Sequence, residues 1–380
     1  MLKRVALLLL VLLMIAASTA CGPAKPAEIK IGVNAELTGS IPVVGASCKN
    51  AAEMAAKEVN DAGGLEVGGK KYKIVLMVED NEDKAESAAS VAQKLNTAGV
   101  LVHIGANASR NAIPASTVCE DAKLPMISPW STNPKTTAGK KFVFRACFID
   151  DFQGVVAAKF AISNLKAETA AVLYDVASEY NKGIAEIFKK TFEDAGKKVV
   201  AFETYTGGDK DFSAQLTKIK ASGAAVLFLP NYYNEVPLQV QQAHKLGFTG
   251  VAFGSDSWGN LEIVSLCGAD CEGLYFTTHY APDIATPKAQ KFIKGYEAAY
   301  GKTPDDVAAL TYDAFGLAFQ AIQSAGKLDR QAVRDALAAI TKYEGVTGDM
   351  QFKGTGDPVK SAVVIQIKGG KFTYFTSAAP

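Results

Sequence analysis

Histidine is scarce in this chain, with three in 380 residues, and tryptophan scarcer, with two. His103, His244 and His279 stand far apart, so no paired-histidine metal pattern is present. His103 lies inside an apolar strand pattern and reads as a core histidine. No GxSxG, HExxH, Walker loop or Rossmann glycine fingerprint anchors an enzyme. Excess charge of one sign is missing too. Forty basic residues balance 39 acidic ones, which leaves no electrostatic footprint for nucleic acid. No low-complexity tract or short-period repeat occurs. Cysteines number six, and none stands in a CxxC pair that would mark zinc. Neither a metal nor another cofactor is expected.

What is present begins with an export signal. Lys3 and Arg4 form a short positive region, residues 5–17 are apolar, and Ser18-Thr19-Ala20 are small. The stretch is too short to be a comfortable membrane span. A cysteine directly after small residues resembles the bacterial lipoprotein cleavage site, at which Cys21 would become the first residue and carry the lipid. Ser18 stands where leucine is usual there, and plain secretion after cleavage near Ala20 is the alternative. Residues 21–27 then form a flexible tether rich in proline and alanine. Removing residues 1–20 leaves 38 basic against 39 acidic residues. The remaining chain, about 360 residues, exceeds what one core usually serves, so two domains are expected. Export permits disulfides. Cys267 and Cys271 bracket Gly-Ala-Asp and are a candidate pair, and Cys119 with Cys147 is a second that sequence alone does not decide. With Cys48 these make five, so at least one thiol stays unpaired within the chain.

The chain is organised around residues 101–134. Residues 100–104 are a β-branched apolar run that stops at Gly105. A small, polar turn follows, and residues 112–121 have helical character with Pro114 in the first turn. A strand, a tight turn and a helix start offer backbone N–H groups to an anion. Residues 124–128 read as the next strand and end in Pro129-Trp130-Ser131-Thr132. In an open parallel sheet, ligands sit beyond the C-terminal strand ends, so the two hydroxyl-rich turns form a shelf for a small polar ligand. The same residues also suit two ordinary βα loops. Strand–helix alternation runs from residue 28 to about 148 and restarts over 169–253. This predicts an α/β fold of two units, each a mostly parallel sheet flanked by helices. Three helical stretches, 288–300, 306–325 and 330–340, precede extended segments at 346–352 and 362–375, so the last hundred residues must be shared between the units.

Taken together, four stretches resemble the leucine/isoleucine/valine-binding family of periplasmic solute-binding proteins, type I binding proteins that serve ABC importers. They are residues 31–39, residues 51–64 (AAEMAAKEVNDAGG), residues 124–134 and residues 208–213 (GDKDFS). The resemblance covers nearly the whole mature chain. It implies two lobes joined by three crossovers, with ligand enclosed between them. Lobe one would be residues 28–148 plus 280–352, and lobe two 149–279 plus 353–380. The crossings would lie near 148–151, 277–280 and 352–354.

The resemblance also implies a ligand set. Ser109 would hold the carboxylate of an amino acid with nearby N–H groups, and Thr132 would contact it as well. Trp130 would lend its backbone carbonyl to the ammonium. From lobe two, Tyr180 and Tyr232 would close over the ligand and Asp256 would pair with the ammonium. Both charges of a buried zwitterion need such partners. Two positions depart from the branched-chain pattern: Trp130 replaces a small residue and Val44 an aromatic one. The indole either shrinks the pocket, stacks on the ligand or points away. No internal partner for Asp256 is legible. The implied function is an exported, monomeric lipoprotein that captures an amino acid, branched-chain or related, and hands it to the permease subunits of an importer. A sensing protein of the same fold, reporting to a membrane receptor, and an exported α/β enzyme are the alternatives.

Overall fold

The computed structural model describes residues 27–284 and 286–380; the signal, Cys21 and most of the tether lie outside the described residues. The chain opens with β1 (Glu28–Ala35), α1 (Pro42–Asp61), β2 (Leu65–Val67), β3 (Lys70–Asp80), α2 (Ala85–Thr97), β4 (Val102–Gly105), α3 (Ser109–Asp121), β5 (Met126–Ser128) and β6 (Val143–Arg145). These strands form one sheet in the order β2-β3-β1-β4-β5-β6. Its pairs are parallel except for the β2–β3 hairpin. Central β1 buries Ile29, Ile31 and Val33, which alternate with Glu28, Lys30 and Gly32 along the strand.

The second set follows: α4 (Asp150–Ser163), β7 (Thr169–Asp175), α5 (Glu179–Asp194), β8 (Lys198–Tyr205), α6 (Ser213–Ala221), β9 (Val226–Leu229), α7 (Val236–Lys245), β10 (Val251–Gly254), α8 (Glu262–Cys267) and β11 (Tyr275–Thr278). The chain then returns to the first sheet with α9 (Pro287–Tyr300), α10 (Asp306–Ala325) and α11 (Arg330–Ala338). Helix α10 packs on α1, where Ala51, Ala52, Ala55, Ala314 and Ala318 are all buried, small side chains that let two helices approach closely. A small three-stranded sheet comes next, β12 (Tyr343–Gly345), β13 (Gly348–Phe352) and β14 (Pro358–Val359). Finally β15 (Ala362–Lys368) and β16 (Lys371–Ala378) join the second sheet, whose order is β16-β15-β11-β10-β9-β7-β8. The chain is thus a two-lobed α/β protein with mostly parallel sheets.

In both sheets the strand order reverses beside a central strand. It does so between β1 and β4 in the first and between β7 and β9 in the second. The loops after these strands point toward one another. Helix α3 begins at Ser109, three residues earlier than its apolar spacing suggests, so Pro114 lies inside it rather than in its first turn. A disulfide joins Cys267 to Cys271, while Cys48, Cys119 and Cys147 are buried free thiols. No helix among the described residues is long and apolar enough to cross a membrane.

Candidate functional site

The first shelf turn is made possible by Gly105. Its φ is +95°, and a Cβ there would lie 2.1 Å from the carbonyl oxygen of Asn34 on the neighbouring strand. Only glycine lets β4 turn so tightly against β1. Beyond it, buried Glu36 accepts hydrogen bonds from the backbone N–H of Asn107 (3.1 Å) and of Ala108 (3.1 Å). The Asn107 side chain (2.7 Å) and Asn111 (3.0 Å) donate to it as well. Burial pushes the Glu36 carboxyl above its ordinary range, against the pull of these donors. The N–H groups of 107 and 108, offered to an external anion by the sequence pattern, are therefore already engaged by an internal one. What remains for a ligand is the Ser109 hydroxyl and the N–H groups of Ser109 and Arg110, since those of Asn111 and Ala112 bond the Ala108 carbonyl.

The second shelf turn is tied to the first by hydroxyls. Ser131 Oγ donates to Ser109 Oγ at 3.0 Å, and Ser128 Oγ donates to the Ala106 carbonyl at 2.7 Å. Arg145, fully buried at the end of β6, clamps the turn from behind. It donates to the carbonyls of Ser131 (2.5 Å) and Asn133 (3.0 Å) and to Thr137 Oγ1 (2.6 Å), and pairs with Asp357 at 2.7 Å. The Thr132 hydroxyl is buried without a hydrogen-bond partner of good geometry. Behind it lies buried Asp150, whose carboxyl is raised well above its usual range by burial, with Thr132 opposing the shift. The Trp130 indole does not point away. Its Nε1 donates to Asp306 Oδ2 at 3.1 Å, and its ring centroid lies 6.0 Å from that of Tyr232.

From the second lobe, α5 supplies Tyr180, the β9–α7 loop Tyr232, and the turn after β10 Asp256. All three are buried. Tyr180 Oη donates to Asp256 Oδ1 at 2.6 Å, and its ring centroid lies 5.6 Å from that of Tyr232. Gln153 Nε2 also donates to Asp256 Oδ1 (2.9 Å), and His279 Nε2 to Oδ2 (3.1 Å). Asp256 therefore has three internal partners where the sequence offers none. One small cavity, with only about 10 Å³ of room, is lined by Asn107, Ala108, Ser109, Trp130, Thr132, Tyr180, Tyr232 and Asp256. All six residues of the expected ligand set meet there, together with two from the first turn. Hydroxyls and a helix N-terminus face it from one lobe, and a buried carboxylate from the other. That arrangement suits a small molecule carrying both charges.

A family model described as periplasmic binding protein matches residues 28–371. The chain belongs to that family. Among curated relatives, the leucine-, isoleucine-, valine-, threonine- and alanine-binding protein of Pseudomonas aeruginosa is 35% identical over 331 residues, covering 87% of each chain. Among solved structures, a leucine binding protein of Thermotoga maritima superposes with a TM-score of 0.87 at 34% identity, covering 93% of this chain and 99% of the other. A branched-chain amino acid transporter substrate binding protein of Streptococcus pneumoniae, solved with isoleucine, gives 0.87 at 32% identity, covering 93% and 100%. This periplasmic binding protein therefore shares its fold with leucine- and isoleucine-binding proteins, as the resemblance in its sequence implied.

Several residues that shape the site carry no sequence signal of their own. Glu36 falls at the end of the first strand pattern, Gln153 is one polar residue in a mostly apolar helix, and His279 stands alone. Arg145 and Asp306 are equally unremarkable in one dimension. Each matters because a distant segment is brought against it.

Proposed function

We propose that this protein captures an α-amino acid, branched-chain or related, between its two lobes and delivers it to an ABC importer in the membrane. The observation that carries the reading is the opposition of unlike chemistry across one cavity. Ser109 and the N-terminus of α3 face buried Asp256. The ligand's carboxylate would take the serine hydroxyl, the Thr132 hydroxyl and the first-turn N–H groups. Its ammonium would take Asp256 and the Trp130 carbonyl, and Tyr180 and Tyr232 would cover it. The names of the relatives agree with this class of ligand. The protein binds and releases its ligand without chemical turnover.

In this reading residues 28–148 plus 280–352 move as one lobe and 149–279 plus 353–380 as the other. Rotation is taken up at the crossings near 148–151, 277–280 and 352–354. The mature protein is a monomer held at the outer side of the membrane by a lipid on Cys21. The test is a thermal-shift screen against the twenty amino acids and short organic acids. A ligand that binds only the folded state raises the melting temperature by mass action. An aliphatic amino acid should give the largest rise. Stabilisation by anions without an amine, and by no amino acid, would overturn the reading.

A further inference from the structure

The Asp256 carboxylate is held from the hinge. His279 lies on the segment after β11, next to the second crossing, and Gln153 lies in the first turn of α4, just past the first. His279 donates to one carboxylate oxygen and Gln153 to the other. The same Gln153 amide donates to Thr277 Oγ1 at 3.0 Å, tying α4 to the end of β11. The His279 ring packs on Phe148, with centroids 3.7 Å apart and planes 30° apart, which joins the second crossing to the first. Both polar side chains are buried. Neither lines the ligand cavity, so their effect on a ligand passes through Asp256.

We propose that Gln153 and His279 are positioning residues, which aim Asp256 at the ligand's ammonium and tie that carboxylate to the crossings about which the lobes turn. The proposal rests on the amino-acid reading above. A carboxylate on a short turn has free rotamers, and two donors on its far oxygen lobes remove that freedom before the ligand arrives. Because the donors sit on hinge segments, any rotation that shifts these segments also shifts the ammonium's partner. Capture and closure then share one set of hydrogen bonds. His279 serves as a neutral donor through Nε2–H. Burial lowers its proton affinity, opposed by Asp256, while Lys360 beyond it acts in the same direction as burial. Asp150, Asp306, Tyr180, Tyr232 and the Cys147 thiol are other titratable groups near the carboxylate.

The test is calorimetric titration with whichever of the twenty amino acids stabilises the wild type most. His279→Leu and Gln153→Leu each remove a donor to a charged acceptor and should weaken binding about tenfold to a hundredfold. His279→Gln restores an N–H at the reach of Nε2 and should recover affinity to within about threefold. In an Asp256→Asn background, titrated at millimolar ligand, His279→Leu should have less than about a twofold further effect, because the charge it aims at the ammonium is gone. A merely structural histidine would show neither the rescue nor the coupling. If His279→Leu and Gln153→Leu fold and bind as the wild type does, the positioning role is wrong while the amino-acid reading stands. The role is equally wrong if His279→Gln is as weak as His279→Leu, or if the effects of His279→Leu and Asp256→Asn simply add. If the wild type binds none of the twenty, the amino-acid reading falls and this proposal with it.

Discussion

Arg110 of the first lobe lies over the ring of Tyr232 of the second, its guanidinium carbon 4.7 Å from the ring centroid. The guanidinium is held in place by Asp83, through Nε at 2.8 Å and Nη2 at 2.6 Å. It therefore braces, from outside, a tyrosine that lines the ligand cavity. A planar, fixed cation over an aromatic ring contributes about 0.5–2 kcal/mol, more when shielded from water. Arg110→Lys keeps the charge but loses the flat face and the two-point grip. It should weaken ligand affinity by roughly 3- to 30-fold, mainly through faster release, as stopped-flow fluorescence would record. Unchanged release would remove Arg110 from the closing interface.

For Asp256 two effects are expected. Removing the charge leaves an enclosed ammonium without its partner, at roughly 3–5 kcal/mol, or about two to three and a half decades in affinity. Read from the sequence alone, Asp256→Asn would spare stability. The three internal donors change that expectation, because the asparagine amide cannot accept from all of them. Ligand-free Asp256→Asn should also be less stable by about 1–3 kcal/mol. Ser109→Ala should weaken binding less, since first-turn N–H groups still face the carboxylate. Calorimetric titration and denaturant unfolding of both variants measure these effects separately.

Acid should expose His103. This histidine is fully buried in β4 beside Asn34, and burial lowers its pKa from 6.5 to about 4. The unfolded chain takes up that proton near pH 6.5, whereas the folded chain resists it. Stability is thus lost progressively as pH falls from about 6.5 to 4, by up to about 3 kcal/mol, and not further below. Buried Glu36, Asp305 and Asp313 have raised carboxyl pKa values and act in the opposite sense on acidification. The comparison is therefore with His103→Gln. The wild type should lose stability relative to this variant across that window, and parallel pH curves would rule the effect out.

The bond between Cys267 and Cys271 closes a very short loop. Chain-entropy reasoning gives such a loop about 2 kcal/mol of stabilisation. Replacing both cysteines with serine should lower the melting temperature by a few degrees for a chain of this size. Ligand affinity should not change, because the loop lies away from the cavity.

Much of this molecule is legible in one dimension. The alternation from β1 to β10 is carried by apolar runs ending at turns, and the shelf at 105–109 and 129–132 is announced by small and hydroxyl-bearing residues. The start of α3 was less legible, since Ser109 and Asn111 lack the apolar spacing that marks a helix and are buried for polar reasons. The β2 strand, only three residues long, carries too little pattern to be read. The supports of the site were invisible for a different reason. Glu36 meets Asn107, Gln153 meets Asp256, and Arg145 meets Asp357 across large separations in sequence. A single buried polar residue gives no hint of which distant partner satisfies it.

The route of the chain has a consequence for its synthesis. Strand β11 presents one edge to β10 and the other to β15, and β15 arrives only after residues 279–361 have been made. The intervening helices α9 to α11 belong against the first sheet. Neither lobe can therefore finish before nearly all of the chain has emerged from the ribosome, and β11 keeps a bare edge until then. A nascent polypeptide so arranged cannot complete one half and then the other. For a protein destined for export this is an advantage, because the chain remains threadable through a narrow channel for almost the whole time it is being made.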